Sequence, residues 1–185
     1  MSIEKLEAKL SEITPLMKEF AESLEFTAVC DFKIEQWDNL ISIPKFEKGL
    51  YFIEIKNDKK FSDFNDWIKD FTSKYEQKDE DGRHIFKYRF VPNLIKKRIK
   101  AQKEYGEWIP MYIGKSMNIT DRVNQHVNIG LEKNTFALKL KARTLLYDQT
   151  FRLNVIEINS KHYDLVVPRI ESYFREKLNP IIGKQ

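Results

Sequence analysis

The first two dozen residues carry apolar side chains in alternating steps of three and four, separated by charged residues. This spacing predicts an amphipathic helix with one apolar seam. Pro15 interrupts the seam and Thr14 can cap a new start, so the pattern allows one kinked helix or two short ones. The seam either packs on the domain core or forms a coiled-coil-like contact with a second copy of the chain. Its residues are Ile3, Leu6, Leu10, Ile13, Met17, Phe20 and Leu24.

The rest of the chain alternates between two kinds of hydrophobic pattern. Runs rich in aromatic and β-branched residues predict strands, and runs with apolar residues every three or four positions predict helices. Ser62 is a candidate N-cap for one helix, and Ser116 or Asn118 for another. The interleaving of strands and helices predicts an α+β fold. The predicted strands are 49–55, 84–91, 108–114 and 151–158, and the predicted helices are 62–75, 93–104, 119–128, 134–146 and 164–178.

Composition adds a size and a charge distribution to this picture. The chain has 185 residues, 42% of them hydrophobic, which suits one globular domain with embellishments. The net charge is +4, but residues 1–54 carry 11 acidic and 6 basic side chains, so the basic excess lies in the later part. If the protein binds nucleic acid, we expect residues 55–185 to make most of the contact.

Cys30 is the only cysteine, so the chain has neither an intramolecular disulfide nor a thiolate metal site. The acidic, amphipathic N-terminus lacks the apolar core of a signal peptide, and no apolar run approaches the roughly 18 residues of a membrane span. We therefore expect a protein of the reducing cytoplasm with no membrane partner.

Four short pieces of the chain form an ordered set on two predicted strands and two predicted helices. They are Gly49-Leu50-Tyr51, Tyr112-Ile113-Gly114 followed by Lys115-Ser116, Arg122 with His126, and Glu171 with Pro180 nine residues later. Together they resemble the GIY-YIG endonuclease family over residues 47–56 and 108–185. The resemblance implies a small three-stranded antiparallel sheet flanked by helices. It places a nuclease domain at residues 46–185, after an N-terminal helical extension at 1–45.

The resemblance also implies a metal-dependent DNA endonuclease that hydrolyses phosphodiester bonds. A tyrosine belongs to its general-base apparatus, with Tyr51 favoured over Tyr112. A phenol has a reference pKa of about 10, so it needs nearby positive charge to act as a base. Arg122, Lys115 and the metal are the candidate sources of that charge.

Arg122 and His126 share one face of their predicted helix, because they are four residues apart. By the resemblance, Arg122 holds the scissile phosphate, which suits its planar, bidentate guanidinium. His126 orients a tyrosine or shares the base role. Glu171 binds a single divalent cation, Mg²⁺ with Mn²⁺ as a substitute, because a hard cation can bind one carboxylate and keep several waters.

The spacing of the two tyrosines departs from the family, in which a short turn separates them. Tyr51 and Tyr112 are 61 residues apart, so residues 57–106 form an α/β insertion. From Arg83 to Lys103 it carries eight basic residues and no acidic one, with Phe86, Tyr88 and Phe90 interleaved. This pattern predicts a DNA-backbone contact surface or, alternatively, a solvated helix face beside an acidic loop. The residues expected to contact nucleic acid are Lys96, Lys97, Arg98 and Lys100.

A second departure lies at the C-terminus. The family often has an asparagine three residues beyond the proline, and that position is Gly183 here. Asn179, Lys184 or Gln185 substitutes for it, or the role is absent; Lys115, Asn179 and Gln185 are the expected neighbours of the site. A second basic run follows the Arg122 helix and is expected to line the DNA groove with Lys139, Lys141 and Arg143.

The leading hypothesis is an endonuclease that acts on double-stranded DNA, of restriction, mobile-element or repair type. A homodimer is expected if it cuts both strands. The alternative is a catalytically weak or inactive nucleic-acid-binding module that retains the GIY-YIG fold. A third interpretation is a protein-interaction domain built on the N-terminal seam. We expect specificity to lie in the insertion and the N-terminal helices, because the chain is too short for a separate recognition domain.

Overall fold

A computed structural model describes residues 2–39, 44–57, 60–87, 89–102 and 105–183. Its helices are α1 (Ile3–Glu22), α2 (Phe64–Glu76), α3 (Lys96–Ala101), α4 (Ile119–Asn128) and α5 (Tyr163–Leu178). Its strands are β1 (Thr27–Phe32), β2 (Gly49–Lys56), β3 (Asn93–Leu94), β4 (Trp108–Ser116), β5 (Phe151–Glu157) and β6 (Ile182–Gly183). None of the helices in these ranges is both long and apolar enough to cross a membrane.

The main sheet has four antiparallel strands in the order β1–β5–β2–β4. Helices pack on both of its faces, which confirms the α+β class. The predicted three-stranded sheet is wrong, because β1 adds a fourth strand inside the segment 1–45, the predicted N-terminal helical extension. A register shift between Ala28 and Cys30 interrupts the pairing of β1 with β5. Such a bulge disturbs the alternation of buried and exposed side chains from which a strand is predicted.

The central strand β2 is buried on both faces. On one face, Leu50 and Phe52 pack under α5 and the C-terminal end of α1. On the other face, Tyr51, Ile53 and Ile55 pack under α2 and α4. Burial on both faces requires a nearly continuous apolar run, and each such side chain contributes about 1.5–3 kcal/mol relative to exposure. This strand therefore holds the first motif tyrosine at the buried centre of the sheet.

The first half of the insertion is part of the same hydrophobic core. Trp67, Ile68, Phe71 and Tyr75 form the buried face of α2, at the helical spacing that the sequence predicts. The N-cap is Asp63 and not the predicted Ser62, since the Asp63 carboxylate accepts two backbone N–H groups of the first turn.

The second half of the insertion is hydrogen-bonded to the C-terminal segment. Strand β3 pairs with β6, and the Ile95 N–H donates to the Ile181 carbonyl at 2.9 Å. At the other end of α3, the Gln102 side-chain amide donates to the carbonyls of Leu178 and Asn179. Helix α3 is shorter than the predicted 93–104, and it is fixed beside the end of α5.

Helix α1 is a single helix that runs through Pro15. Its only buried residue is Ala21, whereas Ile3 is 60% and Phe20 is 46% exposed. The prediction that the seam packs on the domain core is therefore wrong for most of its length. Only the end near Leu24 contacts the cluster beneath α5.

Two predicted elements do not form. In the described part of 84–91, His84 forms an isolated bridge with Lys78, a turn follows, and Phe90 has a left-handed φ of 49°; Tyr88 lies outside the described residues. The predicted helix 134–146 contains only two short 3₁₀ turns, because Lys139 has a φ of 55° that a continuous α-helix excludes. Irregular segments also bury apolar side chains, which hydrophobic spacing alone does not distinguish from regular elements.

Candidate active site

The two motif tyrosines lie on adjacent strands and point to the same face of the sheet. Tyr51 is opposite Gly114 and Tyr112 is opposite Ile53, so the phenols are diagonal neighbours. Their ring centroids are 6.1 Å apart. A Cβ atom at position 114 would collide with the Tyr51 hydroxyl. The glycine of the second tripeptide is therefore required by the close approach of the first tyrosine.

Helix α4 brings His126 to the Tyr51 hydroxyl. The helix starts at Asn118, one of the two predicted caps, whose side chain accepts the Asp121 N–H at 3.0 Å. The buried His126 places Nε2 at 2.7 Å from Tyr51 Oη, and its Nδ1 accepts the Leu138 backbone N–H at 3.0 Å. Because Nδ1 is an acceptor, the neutral ring carries its proton on Nε2 and donates it to the Tyr51 oxygen.

Burial governs protonation in this cluster. It lowers the pKa of His126 well below its ordinary value, and the Arg122 charge lowers it further. Burial raises the pKa of Tyr51 well above its ordinary value, and also raises the pKa of Tyr112. Arg122, Arg175 and a hydrogen bond with Tyr51 all favour the charged form of Tyr112. The imidazole is therefore neutral, and Tyr112 is the easier phenol to deprotonate.

Arg122 lies beside both phenols with its guanidinium anchored. Its Nη1 donates to Gln125 Oε1 at 2.8 Å, and its Nη2 donates to the Phe136 carbonyl. The residue is half-buried. A guanidinium has five N–H donors, so this anchoring leaves capacity to bind a phosphate oxygen in a fixed orientation.

Glu171 on α5 is 5% exposed and lies at the edge strand β4. Its Oε2 accepts from Lys115 Nζ at 3.2 Å, and its Oε1 from Arg175 Nη2 at 2.6 Å. Arg175 Nη2 also donates to the Ile113 carbonyl at 3.3 Å. Lys115 and the Ile113 carbonyl both belong to β4, so these contacts hold the carboxylate beside the strand that carries Tyr112, and its charge raises the pKa of that phenol. Sequence analysis missed Arg175, although its position four residues after Glu171 on a helix was an available signal.

The described residues around Glu171 offer a divalent cation one carboxylate, whose two oxygens are ion-paired with Lys115 and Arg175. Across the described ranges, no three His, Cys, Asp or Glu side chains converge, so a site with several such ligands is absent from them. Mg²⁺ is commonly held by one or two carboxylates and keeps several waters. The Lys115 side chain is 37% exposed and flexible, so it can leave Oε2 to a cation.

The other predicted neighbours of the site fall in different places. Lys115 contacts Glu171 directly. Asn179 is the left-handed C-cap residue of α5, roughly 12 Å along the helix from Glu171. It lines a separate cavity of 570 Å³ near the start of β4, which does not support it as the substitute for the family asparagine. Lys184 and Gln185 lie outside the described residues.

Only part of the predicted nucleic-acid surface is exposed. Arg98 is half-buried and directed toward the C-terminal segment. Lys141 is paired with Asp38 at 2.5 Å. Lys103 lies outside the part of the chain that the structure describes. The exposed cations of α3 are Lys96, Lys97 and Lys100.

Lys139 and Arg143 are fully buried, so the prediction that they line a DNA groove is wrong. Lys139 Nζ donates to the Lys133 carbonyl at 2.6 Å. The Arg143 guanidinium lies between the rings of Tyr75 and Phe86, at 3.6 and 3.7 Å from their centroids. Both cations hold irregular backbone and aromatic side chains together inside the fold.

Comparisons with known protein families, with characterised proteins and with solved structures return no match to this chain. The functional assignment therefore depends on the geometry of the site and on the motifs.

Proposed function

We propose that this chain is a metal-dependent endonuclease that hydrolyses DNA phosphodiester bonds with a GIY-YIG active site. One observation carries the proposal. Residues up to 120 positions apart in the sequence converge along the edge strand β4. Buried ionisable groups are costly to maintain for packing alone, and they concentrate at functional sites. The converging residues are Tyr51, Tyr112, Arg122, His126 and Glu171.

In this proposal, Tyr112 accepts the proton of the attacking water. Tyr51, which the sequence favoured, is 1% exposed and its oxygen already accepts the His126 Nε2–H. Tyr112 is 5% exposed; burial raises its pKa, and the charges of Arg122 and Arg175 oppose that shift. His126 is a positioning residue that orients Tyr51, and Tyr51 in turn stabilises the charged form of Tyr112.

Arg122 and Glu171 act on the phosphate. The anchored guanidinium of Arg122 binds non-bridging oxygens and stabilises the charge that develops on them. Glu171 would hold Mg²⁺ or Mn²⁺, which when bound supplies Lewis-acid stabilisation of the leaving oxygen. Lys115, displaced from Oε2, adds positive charge beside the phosphate.

Cleavage of supercoiled plasmid by the full chain, with Mg²⁺, with Mn²⁺ and with EDTA, tests the proposal. We expect metal-dependent nicking. Tyr112→Phe should lower the rate by about 10²–10⁴-fold, the range typical of a lost acid–base group, and Glu171→Gln should also lower it, because it removes the proposed metal ligand. Absence of metal-dependent nicking by the parent protein contradicts the proposed function.

Two variants on α5 serve as matched controls for these substitutions. Tyr173→Phe and Glu176→Gln make the same chemical changes outside the cluster, and both should cut like the parent protein. If Tyr112→Phe or Glu171→Gln also cuts like the parent, the assigned role of that residue is wrong.

A second candidate function is a nucleic-acid-binding module that keeps the fold without cutting. One observation favours it: both oxygens of Glu171 are already ion-paired, with Lys115 and Arg175. This candidate predicts DNA binding that persists in EDTA and weakens steeply with salt, with no cleavage in any metal.

A further inference from the structure

One arginine of the insertion lies beside the candidate site and not on the outer face of its helix. Arg98 is half-buried, whereas Lys97 and Lys100 on the same helix are exposed. A Cβ atom at Gly183 would come within 2.8 Å of Arg98 Nη1. The guanidinium therefore fills the space that a side chain at position 183 would need.

The fold holds Arg98 in this place from both ends of α3. The Ile95 N–H donates to the Ile181 carbonyl, and Gln102 donates to carbonyls at the end of α5. The pairing of β3 with β6 adds a third attachment. These attachments fix α3 beside the C-terminal segment, with the Arg98 side chain against Gly183.

The charges around Arg98 form an anion-attracting cluster. Burial lowers the pKa of Arg98, Arg175 lowers it further, and Glu171 opposes both effects. Lys115 and Arg175 already pair with Glu171. Glu171 therefore pairs with two cations, Lys115 and Arg175, and a third, Arg98, lies within electrostatic range of it without pairing, so the positive charges outnumber the carboxylate.

Two donors in this cluster are buried without a hydrogen-bond acceptor among the described residues. They are Arg98 Nη1 and Arg175 Nε. Buried donors are almost always paired, so an unpaired one calls for a missing acceptor. An anion bound between the two guanidinium groups would accept from both and would neutralise the excess charge.

We infer that Arg98 and Arg175 form a phosphate-binding subsite beside Glu171, in which Arg98 contacts a non-bridging oxygen of the substrate strand. The substrate rests on the proposed function, whereas the phosphate chemistry rests on the cluster itself. Arg98 is then a catalytic residue supplied by the insertion, distinct from the exposed lysines of α3.

Single-turnover cleavage at saturating duplex DNA separates the catalytic role of Arg98 from the DNA-binding role of the exposed α3 lysines. Arg98→Ala should lower the rate about 10²–10³-fold, as the loss of a transition-state donor does. Lys97→Ala removes the same charge from the outer face, and should weaken binding while saturating DNA restores the rate. Arg169→Ala on α5, exposed and outside the cluster, should behave like the parent protein. Added guanidinium ion should restore part of the rate of Arg98→Ala only.

Gly183→Ala offers a test that leaves Arg98 in the chain. The new methyl group meets the flexible end of the arginine, so the side chain should move while the fold stays intact. We expect parent-like stability with a rate close to that of Arg98→Ala. The double variant that combines Gly183→Ala with Arg98→Ala should be no slower than Arg98→Ala alone, because both changes remove the same interaction.

Titration of inorganic phosphate against the intact protein judges the subsite even if the parent protein does not cut DNA. Phosphate should raise the Tm of the parent and of Arg169→Ala, but not that of Arg98→Ala. Equal stabilisation of all three proteins overturns the inference. Cleavage by Arg98→Ala at the parent rate also overturns the inference, and so does a rate defect in Arg98→Ala that saturating DNA removes. If the parent fails to cut, the nuclease function is lost, and the phosphate titration alone decides on the subsite.

Discussion

At the scale of single residues, the site depends on which nitrogen of His126 carries the proton. The Leu138 N–H reaches Nδ1 from an irregular segment, which leaves Nε2 as the donor to Tyr51. Burial keeps the ring neutral. This arrangement makes the imidazole a fixed orienting group, because a neutral ring with both nitrogens engaged has no free lone pair with which to take a proton from water.

The buried His126 predicts a loss of stability in acid. The unfolded chain takes up the proton below about pH 6.5, whereas the folded chain does so only at a lower pH, since burial lowers the pKa of His126. The stabilisation that comes from the neutral, buried His126 is fully present above about pH 6.5. Below it, we expect up to about 1.4 kcal/mol of unfolding free energy to be lost per pH unit.

Urea unfolding at several pH values measures this effect. His126→Gln should lose the part of the slope that this residue causes, while the exposed His162→Gln should keep the parent slope. Identical slopes for the parent protein and His126→Gln would show that another group is responsible.

We expect a steric effect from the substitution of Gly114, which lies against the Tyr51 hydroxyl. Gly114→Ala puts a methyl group against the buried Tyr51 hydroxyl, so it should lower the unfolding free energy by about 1–3 kcal/mol. It should also slow cleavage, because the phenol must leave His126. Gly106→Ala is the matched control, since a Cβ there meets nothing closer than 3.9 Å. Equal denaturation midpoints for the two variants contradict the explanation.

At the scale of elements, the helices differ in how well the sequence predicts them. The bounds of α4 and α5 are confirmed to within a residue, because 3.6-residue periodicity defines both helices and the Asn118 side chain caps the start of α4. The predicted helix 134–146 fails because Lys139 must adopt a left-handed φ to bring its ammonium to the Lys133 carbonyl. That requirement is set by residues outside the segment.

The exposed apolar face of helix α1 leads us to expect that the protein self-associates. Its exposed apolar side chains include Leu10 at 50% and Ile13 at 41% exposure, on one helical face. Exposed apolar patches of this kind mark interaction surfaces, so of the two sequence-based alternatives for the seam, contact with a second copy of the chain stays a prediction. Analytical ultracentrifugation should show a dimer for the parent and a monomer for Leu10→Glu with Ile13→Glu. Ala8→Glu adds charge to the opposite face and should remain dimeric. A monomeric parent at every concentration contradicts this prediction.

At the scale of the whole molecule, the structure shows where some of the basic residues of the later part of the chain lie. The exposed lysines of α3 lie on the insertion, which is attached to the same C-terminal segment that follows the Glu171 helix. The basic surface and the candidate site are therefore held together by the fold. Part of the predicted basic surface is lost, since Lys139 and Arg143 are buried.

This placement predicts the salt dependence of DNA binding. Each phosphate contact contributes about 0.9 to the slope of log affinity against log salt concentration. Lys96→Ala and Lys100→Ala should each reduce the slope by roughly that amount. Lys18→Ala, on α1, should not change it. Fluorescence anisotropy in EDTA measures binding without cutting, and unchanged slopes in all three variants would remove α3 from the DNA-binding surface.

The sequence by itself determined the elements that carry the motifs, β2, β4, α4 and α5, because spacing, caps and continuous apolar runs are local properties of the chain. It also determined which residue types could form the site. Only the tertiary structure decided that β1 joins the sheet, that Arg143 is enclosed between two rings, and that Lys115 and Arg175 pair with Glu171. Those outcomes depend on contacts between residues distant in the chain, which no local pattern encodes.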